Sequence, residues 1–224
     1  MAVIFSDTFT EPTSDTELTS HTPDTGTSWT RLWADGSGAA RYSAIAASDT
    51  CKCSAGANDS GTGYTADVTY PSANYEVQAT WTNGAAFSTR PLYMFARLTD
   101  TSNMYALRLA NVASGAQLYK KVAGSWSPLG SAVTIATGSV ILLSVNGTAI
   151  KVYDDAVEVI SVTDSDLSGT GKAGLALGGG AVLVTSTDDA NSASEMDTFS
   201  VNDLGAGATV VQDMIGSGII PFAR

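Results

Sequence analysis

The sequence predicts an all-β protein folded as an antiparallel sandwich. Segments of alternating apolar and polar residues recur about every 8 to 14 residues, with Gly, Asn, Asp and Ser between them. No segment sustains a helical period over about 12 residues, although residues 210–215 come nearest. The third observation is residues 140–162, VILLSVNGTAIKVYDDAVEVISV, which read as two successive hairpins. Asn146-Gly147 is a strong type I′ turn signal, because that turn needs positive φ at both central residues. Pairing outward sets Val145, Leu143 and Ile141 opposite Thr148, Ile150 and Val152. A second turn at Asp154-Asp155 sets Val157 opposite Val152, Val159 opposite Ile150 and Glu158 opposite Lys151. The core face is then Ile141, Leu143, Ile150, Val152, Val157 and Val159. A one-residue slip would turn that set to water, so the register is determined.

The other elements follow in chain order. Val3, Phe5, Asp7 and Phe9 fall on one face of a first strand. Residues 11–38 are rich in Thr, Ser, Asp and Gly and read as a long ordered loop, with Trp29, Leu32 and Trp33 to bury. One strand is expected near residues 42–47, then clearer ones at 64–70 and 75–82. Residues 92–112 form a hairpin closed by Asp100-Thr101-Ser102-Asn103, with Leu98 by Tyr105, Ala96 by Leu107 and Met94 by Leu109 on the core face. Tyr93, Phe95, Arg97, Ala106 and Arg108 occupy its other face. Strands at 117–122, 173–177, 182–186 and 195–204 complete the series, the last with Asp197, Phe199 and Val201 on one face. The sandwich is expected to span residues 1–204, and residues 205–224 form an appendage.

Composition excludes several functions. Acidic residues outnumber basic ones 22 to 11, for a net charge of −11. Nucleic-acid affinity is built from Lys and Arg on phosphates, and anionic membranes select the same residues, so neither partner is expected. No run of about 18 apolar residues spans a bilayer, and no basic start precedes an apolar core as in a signal peptide. Cys51 and Cys53 stand too close for an unstrained bridge, and no histidine lies nearby to complete a zinc site.

No catalytic residues are assigned. Glu195-Met196-Asp197 begins the E-x-D-x-x-E pattern of retaining glycosidases, but Ser200 stands where the second Glu belongs. His21 is the only histidine, and no Gly-x-Ser-x-Gly elbow accompanies it. Asp7 and Asp197 are more informative, since each stands where alternation demands an apolar side chain. A buried unpaired carboxylate costs several kcal/mol, so each needs N–H donors or a cation.

Phe5-Ser6-Asp7-Thr8-Phe9, the loop from Leu18 through His21 to Pro23, and Trp29 resemble the concanavalin A-like, laminin-G-like jelly roll. So do Phe95-Ala96-Arg97-Leu98, Asn103-Met104-Tyr105-Ala106-Leu107-Arg108, Val145-Asn146-Gly147, Gly171-Lys172-Ala173-Gly174-Leu175 and Met196-Asp197-Thr198-Phe199-Ser200-Val201. The resemblance covers roughly residues 3 to 204 and implies a two-sheet jelly roll. It implies that the first and last strands are neighbours, and that Asp7 and Asp197 could hold a structural calcium together with loop carbonyls. Backbone N–H groups at strand ends are the alternative. It also implies an open sheet face on which Tyr93, Phe95, Arg97 and Arg108 meet a glycan. The alternative there is that residues 11–60 fold over the face as a second small core.

Such domains, rich in Ala, Gly, Ser and Thr, resemble those of tailed-phage virion proteins. The function this implies is a non-enzymatic structural or decoration module of a capsid or tail, located in the virion. Its expected partners are other virion proteins or copies of itself, and host-surface glycans. A carbohydrate-active enzyme of the same fold is the alternative. No cofactor is expected beyond the calcium considered for Asp7 and Asp197. In the appendage, Val210, Val211, Met214, Ile215, Ile219, Ile220 and Phe222 are strongly apolar after a Gly-Ala-Gly-Ala spacer. Exposed contiguous apolar surface marks an interface, so these residues are expected to anchor the chain in an assembly.

Overall fold

The computed structural model describes residues 1–10, 16–34, 43–45, 50–53, 61–83, 91–110, 115–178 and 194–205. Sixteen strands are present among them. The first eight are β1 (Ala2–Asp7), β2 (Thr16–Glu17), β3 (Ser28–Ala34), β4 (Ser43–Ile45), β5 (Cys51–Cys53), β6 (Gly61–Asp67), β7 (Tyr75–Asn83) and β8 (Leu92–Asp100). The rest are β9 (Asn103–Leu109), β10 (Ala116–Val122), β11 (Ser125–Val133), β12 (Val140–Asn146), β13 (Ala149–Asp154), β14 (Val157–Thr163), β15 (Lys172–Gly178) and β16 (Ser194–Asp203). A short 3-10 turn covers Leu18–Ser20. The loop expected over residues 11–38 thus contains two strands, β2 and β3. The strand expected at 182–186 and the apolar residues from Val210 to Phe222 lie outside the described residues.

The strands form two antiparallel sheets, and the molecule is a jelly-roll sandwich. Nine strands run β14-β13-β12-β7-β16-β5-β4-β2, with β1 also on β16; seven run β11-β10-β9-β8-β15-β6-β3. The first and last strands are neighbours, as the resemblance implied, with Phe5 opposite Val201 and Asp7 opposite Phe199. Between the sheets lie Val77, Ala79 and Trp81 from β7, Ile141, Leu143 and Val145 from β12, and Met94, Leu107 and Leu118 from the facing sheet. Trp29 packs edge-on against Phe5 and Phe199, with ring centroids 4.8 and 5.0 Å away.

The central meander keeps its expected faces but not its expected turns. Asn146 pairs with Ala149 and Val145 with Ile150, so the loop residues are Gly147 and Thr148. Gly147 takes φ of 57°, as the first position of a type II′ turn requires. The register moves by two residues, an even step, and Ile141, Leu143, Ile150 and Val152 all stay buried. In the second hairpin the turn is Asp155-Ala156, both at positive φ. A bulge at Val159 then reverses the faces: Ile160 opposes Val152, Val159 is half-buried, and Val157 is 64% exposed. Val157 is therefore a surface residue, not a core one. The Lys151–Glu158 ion pair forms at 2.7 Å, although Glu158 stands opposite Tyr153.

Candidate functional site

Alternation along β8 sends Leu92, Met94 and Ala96 into the core and Tyr93 and Phe95 to the outer face of the seven-stranded sheet. Antiparallel pairing extends that face sideways. Arg108 and Gln117 continue the row of Tyr93, and Ala106 and Tyr119 continue the row of Phe95. Met104, Lys121 and Trp126 form a further row toward the β11 edge. On the other side Ala176 opposes both Tyr93 and Gly63, and Trp33 opposes Gly63.

This face is more thoroughly packed than the resemblance implied. Tyr93 and Phe95 are fully buried and near-parallel, with ring centroids 6.3 Å apart. They join Trp33, Leu98, Met104, Ala106 and Ala176 in a second apolar cluster, against which Leu32 and Trp126 pack. Glycan cannot stack on Tyr93 or Phe95 as they stand. What remains partly open is the β10–β11 rim. Tyr119 and Trp126 are half-buried and meet edge to face at 6.2 Å, while Lys121 Nζ lies 5.1 Å from the Trp126 ring centre. Arg108 is half-buried on the same face.

Arg97 departs from the expected face. The β8–β9 register shifts between Ala96 and Asp100, and Arg97 sits at φ of 47°. Its backbone N–H donates to the Tyr75 hydroxyl, and its guanidinium donates to the Ala73 and Leu167 carbonyls at 3.1 and 2.9 Å. Tyr75 Oη in turn donates to the Gly171 carbonyl at 3.0 Å. Arg97 is thus a staple between loops, not a ligand donor. The bulge also moves Leu98 from the expected inner face to the outer cluster.

The carboxylates separate. Asp7 is buried and accepts three hydrogen bonds: from Phe9 N–H at 2.7 Å, Trp29 Nε1–H at 2.6 Å, and the His21 Nε2 position at 2.9 Å. Asp197 is exposed, because a bulge between Met196 and Thr198 puts Met196 in the core instead. The two do not share an inward site. Among the described residues no group of three or more His, Cys, Asp or Glu converges as a metal centre. Glu195 is half-buried and accepts from Thr50 Oγ1 at 3.1 Å.

Trp33 and Leu32 join this face as the alternative of a second small core from residues 11–60 expected, whereas sequence reasoning missed Tyr119, Lys121 and Trp126. Tyr119 and Lys121 alternate with Leu118 and Lys120 along β10, which places them outward. The partner strand β11, SWSPLGSAV, lacks clear alternation, and so Trp126 had no face assigned.

No protein-family model and no curated protein matches the chain in sequence. Solved structures do match in shape. Domain 4 of AbnA, a GH43 extracellular arabinanase from Geobacillus stearothermophilus, in complex with arabinotriose, superposes over 90% of this chain and 92% of its own, with a TM-score of 0.56 and 18% identity. The Emp46p carbohydrate recognition domain in its potassium-bound form matches over 78% and 88%, with a TM-score of 0.55 and 11% identity. Carbohydrate-binding module CBM66 from Bacillus subtilis matches over 78% and 92%, with a TM-score of 0.51 and 14% identity. At these identities the likeness is one of fold: the chain shares a two-sheet jelly roll with these domains.

Proposed function

We propose that this chain is a non-enzymatic carbohydrate-binding module that takes glycan on the outer face of its seven-stranded sheet. The observation that carries the proposal is the half-open Trp126–Tyr119 pair, backed by the buried Tyr93–Phe95 layer. Aromatic rings offer an apolar platform for the C–H faces of sugars, and the half-buried Arg108 carries N–H donors of the kind that hydroxyl or carboxylate oxygens accept from. Three proteins of similar fold support the reading: a carbohydrate-binding module, a carbohydrate recognition domain and a domain in complex with arabinotriose. Hydrolysis fits the face less well. A glycosidase needs two carboxylates flanking the bond, and the outward residues of β9 and β10 that oppose Tyr93 and Phe95 are Arg108, Ala106, Gln117 and Tyr119.

Trp126→Ala and Tyr119→Ala should each weaken retention on a responsive polysaccharide by about tenfold, an aromatic contact being worth about 0.5–1.5 kcal/mol. The melting temperature should stay close to that of the parent. A blank glycan array, or unchanged retention in both variants, would sink the reading, and sugar release from the bound glycan would replace it with the enzymatic one. The setting we propose is a virion surface, on the strength of the sequence resemblance. Virion proteins or further copies of the chain would be its partners. Mass spectrometry of purified particles tests that setting.

A further inference from the structure

We propose that Trp33 is a movable plug on this face, whose indole lies over the floor in the unliganded protein and swings off to open Phe95. The proposal deepens the glycan-binding reading, because it supplies a way for the buried part of the face to become available. Trp33 stands one residue before the end of β3, the edge strand of the seven-stranded sheet. The β3–β6 register shifts between Arg31 and Trp33, which leaves the end of the strand irregular.

The indole lies directly over Gly63, where a Cβ would come within 2.2 Å of its ring, and its centroid is 5.7 Å from that of Phe95. The sheet beneath it is built from small residues, Gly63 on β6 and Ala176 opposite it on β15.

A further observation is the indole N–H, a feature that Trp33 shares with Trp81 and Trp126. Trp33 is 9% exposed, and its Nε1 is buried without a hydrogen-bond acceptor. Trp29 shows the contrasting case, with its Nε1–H on Asp7 Oδ2 at 2.6 Å. A buried donor without an acceptor costs free energy that any rotamer reaching water or a ligand oxygen recovers. Swinging the side chain outward breaks no side-chain hydrogen bond, since the Trp33 carbonyl keeps its bond from Thr62 Oγ1. Among the described residues the cost is apolar contact with Phe95 and its cluster. An open state lying a few kcal/mol above the closed one would be populated at about 0.1–10%, and apparent affinity for a ligand of the open face would be reduced by that fraction.

Indole ¹⁵N NMR on the full chain tests this without any ligand. Trp33 Nε1–H, assigned by its disappearance in Trp33→Phe, should exchange with deuterium at least about tenfold faster than Trp29 Nε1–H and show exchange broadening on the μs–ms scale. Gly63→Ala should then push the ring off the sheet. Gly63 is not in the left-handed region, and the three atoms nearest the new methyl all belong to the Trp33 ring, so acrylamide quenching should rise. A Trp33 indole as protected as that of Trp29 in the parent protein overturns the plug, and so does a folded Gly63→Ala protein with unchanged quenching. A protected Trp33 beside a positive glycan array removes the plug and leaves glycan binding standing. A mobile Trp33 beside a blank array supports the plug and removes the glycan reading.

Discussion

Asp7 shows how far a single residue can be read from sequence. A carboxylate at an apolar position of the first strand had to find donors, and it found three. Which donors was not legible, because His21 and Trp29 reach it from residues 14 and 22 positions away. Asp7→Ala leaves a buried indole N–H and a buried imidazole without their acceptor, and should cost about 3–5 kcal/mol in urea denaturation, as when one partner of a buried pair is removed. A loss below about 1 kcal/mol would show the cluster to be incidental. Asp197 was misread for a definite reason: a bulge leaves no mark in alternation, yet it reverses every face beyond it. Glu76 was not singled out at all, though it is buried. Burial pushes its carboxyl above the usual range, while Ser144 and the amino terminus pull it back. A raised folded-state pKa contributes stability that is full below the ordinary carboxylate value and is lost as pH rises through the folded value. Glu76→Gln should therefore be more stable than the parent at pH 7 and about equal to it near pH 4. Melting curves at the two pH values check this, and a variant less stable at pH 7 would refute the sign.

At the scale of elements, the hairpins were legible in their faces and illegible in their turns. Gly147 occupies the first loop position rather than the second, a shift that preserves parity and so preserves the core. The bulge at Val159 does not preserve parity, and Ile160 takes the core place expected for Val157 and Val159. Arg97 tells the same story on β8, where the shifted strand turns a residue expected at a ligand face into a loop staple. Chemical denaturation can separate the faces. Ile150→Ala should cost about 2–5 kcal/mol as a large-to-small core change, whereas Val157→Ala should stay within about 0.5 kcal/mol. Ala156 carries φ of 67° in the turn before β14, a conformation that costs a residue with a Cβ about 1–2 kcal/mol. Ala156→Gly should therefore stabilise the protein by about 0.5–1 kcal/mol, after the added flexibility of the unfolded chain is offset. Equal effects at Ile150 and Val157 would contradict the observed register.

The whole molecule was legible as a sandwich because the long elements other than β11 alternate, but the pairing of β16 with β7 on one side and β1 on the other depends on contacts no local pattern encodes. The same holds for the packed outer face: alternation shows that Tyr93 and Phe95 point outward, and it cannot show what lies against them. Leu204 is buried, its N–H donates to the Asn74 carbonyl at 3.0 Å, and Asn74 Nδ2 donates to the Gly205 carbonyl at 3.2 Å. Asn74 Oδ1 also accepts from Gly147 N–H at 2.9 Å, so one asparagine fastens the end of β16 to the central hairpin. Residues 206–224 lie beyond that clasp and outside the described residues. We propose that their apolar side chains, from Val210 to Phe222, anchor the chain in an assembly, since a chain of net charge −11 has little reason to spend them on solvent. Deleting residues 206–224 removes one Asp and one Arg, so the net charge stays at −11 and any change in association is not a charge effect. The truncated chain should melt within about 2 °C of the parent, because every described strand and the Asn74 clasp are retained. Light scattering should then show the parent as an assembly and the truncated form as a monomer. A truncated chain that still assembles removes the anchor, and one that melts well below the parent shows instead that these residues complete the sandwich itself.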